Sequence, residues 1–278
     1  MLVFSNSKIN IGLWILNKRS DGYHNIETIF YPIQWQDIIE VIPNLQQQNQ
    51  IEIFNYGLQL NIPLEENIIF KAYQLLLKKF HTLPSLKVYL YKQVPFGAGL
   101  GAGSANAAYF IKICNELFDL NLPKEEMFVL ASQLGADCAF FIENRVSLAK
   151  EKGDVLYPIS LDLSSYYILI IYPNINISTK EAYQNCIPKE RDFSLIDIIK
   201  KPIGEWRYYL ENDFEKNIFD KYPLIKKIKE KLYQKNAVYS SMSGSGSAVF
   251  GIFEHLPEID EFKEYLHFLE LPKIQKSI

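Results

Sequence analysis

Hydrophobic and polar positions alternate from Lys8 to Leu16, with Ile9, Ile11 and Leu13 on one side and Lys8, Asn10 and Gly12 on the other. That is the period of a half-buried strand, and it puts Lys8 and Asn10 on one face. Asp21-Gly22 marks a turn, and Glu27 to Trp35 is rich in β-branched and aromatic residues, so the opening of the chain predicts paired strands. The glutamine-rich patch from Gln46 to Gln50 predicts a loop tip. A helix is predicted over Asn67 to Phe80, and Leu86, Val88 and Leu90 alternate with Lys87, Tyr89 and Tyr91 as a strand that runs on to Pro95. From Ser104 onward Ala107, Ile111, Cys114 and Phe118 recur at helical spacing, so a helix begins directly after a glycine cluster. A second helix is predicted over Lys124 to Leu134, with a left-handed cap at Gly135 and Asp137 just beyond it.

Beyond residue 150 the pattern restarts. Tyr166 to Tyr172 reads as a buried strand bounded by Pro173, helical candidates fall between 180 and 232, and the stretches Ala237 to Ser241 and Ala248 to Phe253 flank Ser243-Gly244-Ser245-Gly246. A domain of residues 1–155 followed by one of residues 156–278 is expected. No stretch reaches the roughly 20 apolar residues that cross a bilayer, and the N-terminus turns polar at Ser5, so a cytoplasmic protein is expected. With 48% hydrophobic residues in 278, the chain can bury a substantial core. A formal charge of -3 leaves no basic excess for a nucleic-acid partner. Cys114, Cys138 and Cys186 are too widely spaced for a disulfide framework, and with the four histidines they show no metal-ligand spacing, so a reducing compartment and no structural metal are expected. The partner expected is a small-molecule substrate, with no obligate protein partner.

The strongest chemical feature is Pro95-Phe96-Gly97-Ala98-Gly99-Leu100-Gly101-Ala102-Gly103-Ser104-Ala105. Its small residues let backbone amides approach an anion, and a helix that starts there aims its dipole and free amides at phosphate. A flexible loop or a tight helix–strand contact is the plainer reading, but a strand before and a helix after favour phosphate. The Walker A pattern is missing, because no Gly-Lys-Ser/Thr follows the glycines. The dinucleotide fingerprint fails as well, because Ala102 and Ser104 stand where its third glycine would fall.

The loop resembles the second motif of the galactokinase, homoserine kinase, mevalonate kinase and phosphomevalonate kinase (GHMP) superfamily. Ser7-Lys8-Ile9-Asn10-Ile11-Gly12-Leu13 is similar to its first motif, and Ser241 to Phe250 to its third, in the expected order. Within that superfamily Arg19-Ser20-Asp21-Gly22-Tyr23-His24-Asn25-Ile26-Glu27-Thr28 and Gly135-Ala136-Asp137 resemble segments typical of the 4-diphosphocytidyl-2-C-methyl-D-erythritol kinases of the non-mevalonate isoprenoid pathway. Ala98, Ala102 and Ala105 depart from the pattern, standing where Gly, Gly and Ser are usual. The resemblance implies a two-domain α+β fold: an N-terminal mixed-sheet domain with the phosphate loop, a smaller C-terminal α/β sandwich, and an active site in the cleft. The activity it implies is ATP-dependent phosphorylation of the 2-hydroxyl of that cytidine compound, with Mg²⁺ arriving on the nucleotide. Homoserine or mevalonate kinase activity, or a non-catalytic nucleotide-binding protein of the same fold, are the alternatives.

Each residue role has a plainer counterpart. Asp137 after a glycine cap reads alone as a helix N-cap, whereas the resemblance implies the base that takes the substrate's hydroxyl proton. Lys8 on a strand reads alone as a solvated charge, whereas the resemblance implies the catalytic lysine, with Asn10 beside it orienting the hydroxyl. Tyr23 and His24 are ordinary turn residues by themselves. The resemblance implies that Tyr23 stacks on cytosine and His24 contacts its polar edge, with Thr179 and Tyr183, one helical turn apart, completing the sandwich. Ser243 and Gly244 could be a plain hairpin connection, or, by the resemblance, part of a loop that closes over the phosphates and the reacting hydroxyl.

Overall fold

The computed structural model describes residues 1–44, 50–81, 83–184 and 186–273. Two compact units form, and they interleave along the chain rather than meeting once near residue 155. The first gathers Met1–Ser7, Pro32–Phe96 and Gly101–Arg145; the second gathers Lys8–Tyr31, Gly97–Leu100 and Val146–Ile278. Two long strands, β1 (Leu2–Lys18) and β2 (His24–Pro43), contribute to both.

In the first unit β2 continues into β3 (Ile51–Gly57), α1 (Ile68–Lys79), β4 (Leu86–Lys92), α2 (Ala102–Leu117), α3 (Lys124–Leu134) and the single turn α4 (Phe140–Glu143). β4 pairs antiparallel with β2 and parallel with β3, which makes the sheet mixed. The alternation of β4 puts Leu86, Val88 and Leu90 on a buried face, while Ile69, Ala72, Tyr73 and Leu76 form the buried stripe of α1 at helical spacing. Each such aliphatic or aromatic side chain, fully buried, contributes about 1.5–3 kcal/mol. Asn67 opens α1 by accepting the Ile69 amide at 2.9 Å, and Lys78 and Lys79 complement the dipole at its other end.

In the second unit the start of β2 pairs with β5 (Ser147–Lys150), which pairs with β6 (Val155–Pro158). β7 (Tyr167–Tyr172), α5 (Thr179–Tyr183), α6 (Leu195–Ile199), α7 (Ile203–Trp206), α8 (Glu215–Lys221), α9 (Pro223–Gln234), β8 (Tyr239–Met242), β9 (Val249–Phe253) and β10 (Leu266–Glu270) follow. An antiparallel sheet runs in the order β10-β7-β9-β8, and α9 lays Ile225, Ile228 and Leu232 on it.

Four expectations need amending. The first strand is not half-buried: Ser5 to Ile15 are buried on both faces, because the polar face, too, is covered. The helix after the glycine cluster begins at Ala102, two residues before Ser104, since Ala102 and Gly103 fit its first turn. Gly135 is extended (φ 167°, ψ 154°) rather than left-handed, because the chain leaves α3 straight into a 3-10 turn over Ala136–Cys138. Of the glutamine-rich patch, Gln46 to Asn49 lie outside the described residues.

Candidate active site

The second unit brings together residues that are far apart in sequence. On β1, Lys8 and Asn10 are buried, and the Lys8 Nζ donates to Asn10 Oδ1 at 2.5 Å and to the Gly99 carbonyl at 3.2 Å, with the Phe30 ring 4.9 Å away. The Lys8 amide donates to the Leu100 carbonyl at 3.0 Å. A buried ammonium is tolerated only where acceptors replace its water, and these oxygens with the ring face do so. The solvated-charge reading of Lys8 is therefore incorrect.

The hairpin between β8 and β9 closes on the same loop. Ser243 Oγ donates to the Gly99 carbonyl at 2.9 Å and accepts the Asn10 amide at 3.2 Å, while the Ala248 amide donates to the Ala98 carbonyl at 3.1 Å. A Cβ at Gly99 would lie 2.0 Å from the Ser243 carbonyl oxygen, and one at Gly97 would lie 2.4 Å from Asn176 Oδ1. Glycine is required at both on space alone. Gly97, Gly99 and Gly101 also share left-handed backbone, with φ of 67°, 77° and 68°. Between them Ala98, Leu100 and Ala102 are buried and keep negative φ, as Ala105 does, so the alanines that depart from the usual pattern stand where a side chain fits.

In the first unit Gly101 is the N-cap of α2 and offers no side chain, and no acidic residue lies in that helix's first turn. The amides there are orphaned as at any helix start, and the dipole favours an anion. The glycine cradle and the uncapped helix start fit a nucleotide triphosphate. Gly103 has only the Phe96 ring and Ile68 near its open side, both about van der Waals distance away at 3.9 and 4.0 Å, and Pro95 is buried. Ser104 and Asp137 belong to this unit too. The Ser104 hydroxyl hydrogen bonds the Cys138 thiol, which ties the Asp137 turn to α2, while burial pushes that thiol up to about 12. Asp137 is half-buried inside the 3-10 turn and caps no helix; α4 is preceded by Ala139.

The aromatic candidates lie in the second unit and divide. His24 and Tyr183 stack, with ring centroids 4.9 Å apart and planes 12° from parallel, and Tyr183 also meets Phe214 edge-on at 4.8 Å. Thr179 is exposed at the start of the same short helix, whose Ser178 cap accepts the Glu181 amide. Tyr23 is 62% exposed, outside that stack, with the Lys152 ammonium 5.3 Å over its ring. Burial, assisted by Lys18, holds the His24 imidazole below its usual value, so it is neutral at neutral pH.

Sequence reasoning missed the residues that hold these in place. Thr28 Oγ1 accepts from Asn10 Nδ2 at 2.9 Å and donates to the Gly12 carbonyl at 2.6 Å. Asn212 Nδ2 donates to the Met242 and Gly244 carbonyls, each at 2.8 Å, and Glu215 accepts the Met242 amide at 2.8 Å and the Ser241 hydroxyl at 3.1 Å. Asn212 and Glu215 carry no sequence signal, since their partners lie some thirty positions away. Thr28 at least falls within the motif that begins at Arg19.

The two parts of the chain match the GHMP kinases N terminal domain over residues 67–145 and the GHMP kinases C terminal over residues 195–269. A protein of Bacteroides thetaiotaomicron described as 4-diphosphocytidyl-2-C-methyl-D-erythritol kinase is 46% identical over 263 residues, 94% of this chain and 96% of that one. The chain belongs to the 4-diphosphocytidyl-2-C-methyl-D-erythritol kinase family of GHMP kinases. A Cytophaga hutchinsonii member with the same description is 45% identical over 93% of this chain and 94% of its own. A crystal structure of 4-(cytidine 5'-diphospho)-2C-methyl-D-erythritol kinase superposes with a TM-score of 0.75 at 27% identity, covering 91% of this chain and 90% of that one. The family and fold read from the motifs are borne out, and so is the kinase reading; these relatives do not support the homoserine and mevalonate alternatives. Among the described residues no helix is long and apolar enough to cross a membrane.

Proposed function

We propose that this chain transfers the γ-phosphoryl group of ATP to the 2-hydroxyl of 4-diphosphocytidyl-2-C-methyl-D-erythritol, giving ADP and the 2-phosphate, a step of the non-mevalonate isoprenoid pathway. The observation that carries the reading is identity of 45–46% over nearly the whole chain with relatives described as that kinase. The glycine cradle from Pro95 to Ala105 holds the phosphates, its left-handed glycines and the start of α2 turning backbone amides towards them. Mg²⁺ travels with the nucleotide and supplies charge neutralisation on its phosphate oxygens.

Asn10 orients the attacking hydroxyl, and Asp137 accepts its proton as the new oxygen–phosphorus bond forms and the bond from phosphorus to ADP breaks. Lys8 offsets the charge on the transferred group from a dry position, where electrostatic help is strongest. Ser243 and Gly244 close over the phosphates. For the cytidine end, Tyr23 offers an open ring face, the neutral His24 one donor and one acceptor for the base edge, and Tyr183 with Thr179 the opposite wall.

The test is ADP release from ATP and Mg²⁺ with this cytidine compound, homoserine, mevalonate or galactose as acceptor. Turnover confined to the cytidine compound is expected, and Asp137→Ala and Lys8→Ala should each lower turnover by about 10²–10⁴-fold while ATP binding is retained. Turnover on another of these alcohols, or none with the cytidine compound, would overturn the assignment. Full activity in Asp137→Ala would remove the proposed base.

A further inference from the structure

We infer that the outer face of the first unit's sheet is a self-association surface, and that this chain forms a two-fold dimer through it. The inner face carries Ile39, Val41, Val88 and Leu90, all buried. The outer face is apolar as well. Tyr91 stands opposite Ile38 on β2 and opposite Tyr56 on β3. Met1 and Val41 exchange both main-chain bonds, at 2.7 and 2.8 Å, which sets Phe4 opposite Ile38. Phe4, Ile38, Tyr91 and Tyr56 thus form one apolar row across four strands. In the next row Leu2 joins the stacked pair Phe54 and Tyr89, whose ring centroids are 5.0 Å apart.

Leu2, Phe4, Tyr56 and Tyr91 are between 48% and 54% exposed. Large side chains left half in water amount here to about 600 Å² of apolar surface per copy, at the upper limit of roughly 300–600 Å² for the largest patch on a monomer. A stable interface needs about 800 Å² per partner, and the polar residues beside the rows supply the remainder. Those residues, Glu40, Glu52 and Lys87, carry no basic excess, which disfavours nucleic acid or an anionic membrane as the occupant.

The row is also self-complementary. A two-fold axis along the strands carries Phe4 onto Tyr56 and Ile38 onto Tyr91 of the second copy, so apolar surface meets apolar surface and the contact closes without propagating. Two sheets stacked about 10 Å apart are an ordinary packing.

Sedimentation velocity and light scattering on the full chain at micromolar concentration decide the matter. A dimer is expected, and Tyr91→Lys, alone or with Tyr56→Lys, should weaken it roughly tenfold or more while circular dichroism and turnover stay as in the parent. Ile187→Lys, at a residue 82% exposed in the second unit, should leave the dimer intact. A parent chain that stays monomeric, or a dimer indifferent to both tyrosine substitutions, would overturn the inference and assign the face to a different partner or to none.

Discussion

Thr28 holds two buried polar atoms at once, the Asn10 amide nitrogen and the Gly12 carbonyl, and through Asn10 it fixes which oxygen faces Lys8. The amide of Asn10 has two orientations of equal shape, and only the one with Nδ2 towards Thr28 leaves Oδ1 for the lysine. Thr28→Val keeps the volume but removes the hydroxyl, leaving two buried groups unsatisfied at about 1–3 kcal/mol each. The variant is expected to lose that stability in denaturant titration and to lower kcat with little change in KM for ATP, whereas Thr28→Ser should recover both. An unchanged kcat would show that the orientation of Asn10 does not matter. At the same scale, His24 titrates below the usual imidazole value of about 6.5. Cytidine affinity should be flat above neutrality and fall only in acid, if the neutral ring is what binds.

The elements that deliver the loop are tied together by charge. Asp37 on β2 bonds the Lys92 ammonium at the end of β4, and its other oxygen accepts the Gln93 and Val94 amides at 2.8 and 2.9 Å, just where the chain turns towards Pro95. Both side chains are almost wholly out of water. Burial pushes the Lys92 pKa down, and Asp37 pulls it back up. Asp37→Asn would leave a buried cation unpaired, at a cost of about 3–5 kcal/mol. The double variant Asp37→Asn, Lys92→Met should regain most of it, and urea unfolding of the two proteins measures the difference. Equal midpoints for parent and Asp37→Asn would show that the pair adds nothing to the strand ends.

Across the whole molecule the described thiols report on packing. Cys114 and Cys138 are buried and Cys186 half-buried, its Sγ donating to the Ala182 carbonyl at 3.0 Å. Burial pushes the Cys138 thiol up to about 12 and raises the Cys114 thiol further. Below the ordinary value of 9.0 both states keep these protons, so the thiols do not change stability there. As pH rises from 9.0 towards 12 the unfolded chain releases its protons first, and stability falls. A thiol reagent at pH 8 should label Cys186 first, and the other two only at the rate of unfolding, as mass spectrometry of the labelled protein would reveal. Fast labelling of Cys138 in the native protein would contradict the burial described here.

Much of this protein was written locally. The period of two at β1 and β4, the helical stripe of α1 and the glycine run follow from contacts within a few residues, and a sequence displays such contacts directly. So do the family motifs, because a loop that must pass within 2.0 Å of another backbone atom admits only glycine at Gly99. Tertiary structure alone decided the rest. The strand holding Lys8 and Asn10 is buried on both faces because the phosphate loop and the β8–β9 hairpin arrive from 91 and 233 residues further along the chain, and an alternation pattern cannot register a cover that distant. Tyr183 stacks on His24, and Tyr23 lies outside that stack, because the turn from Arg19 to Tyr23 closes on its own backbone. Asn212, Glu215, Asp37 and Lys92 became visible only in the fold: a buried polar group is defined by the partners that replace its water, and those partners are chosen by packing.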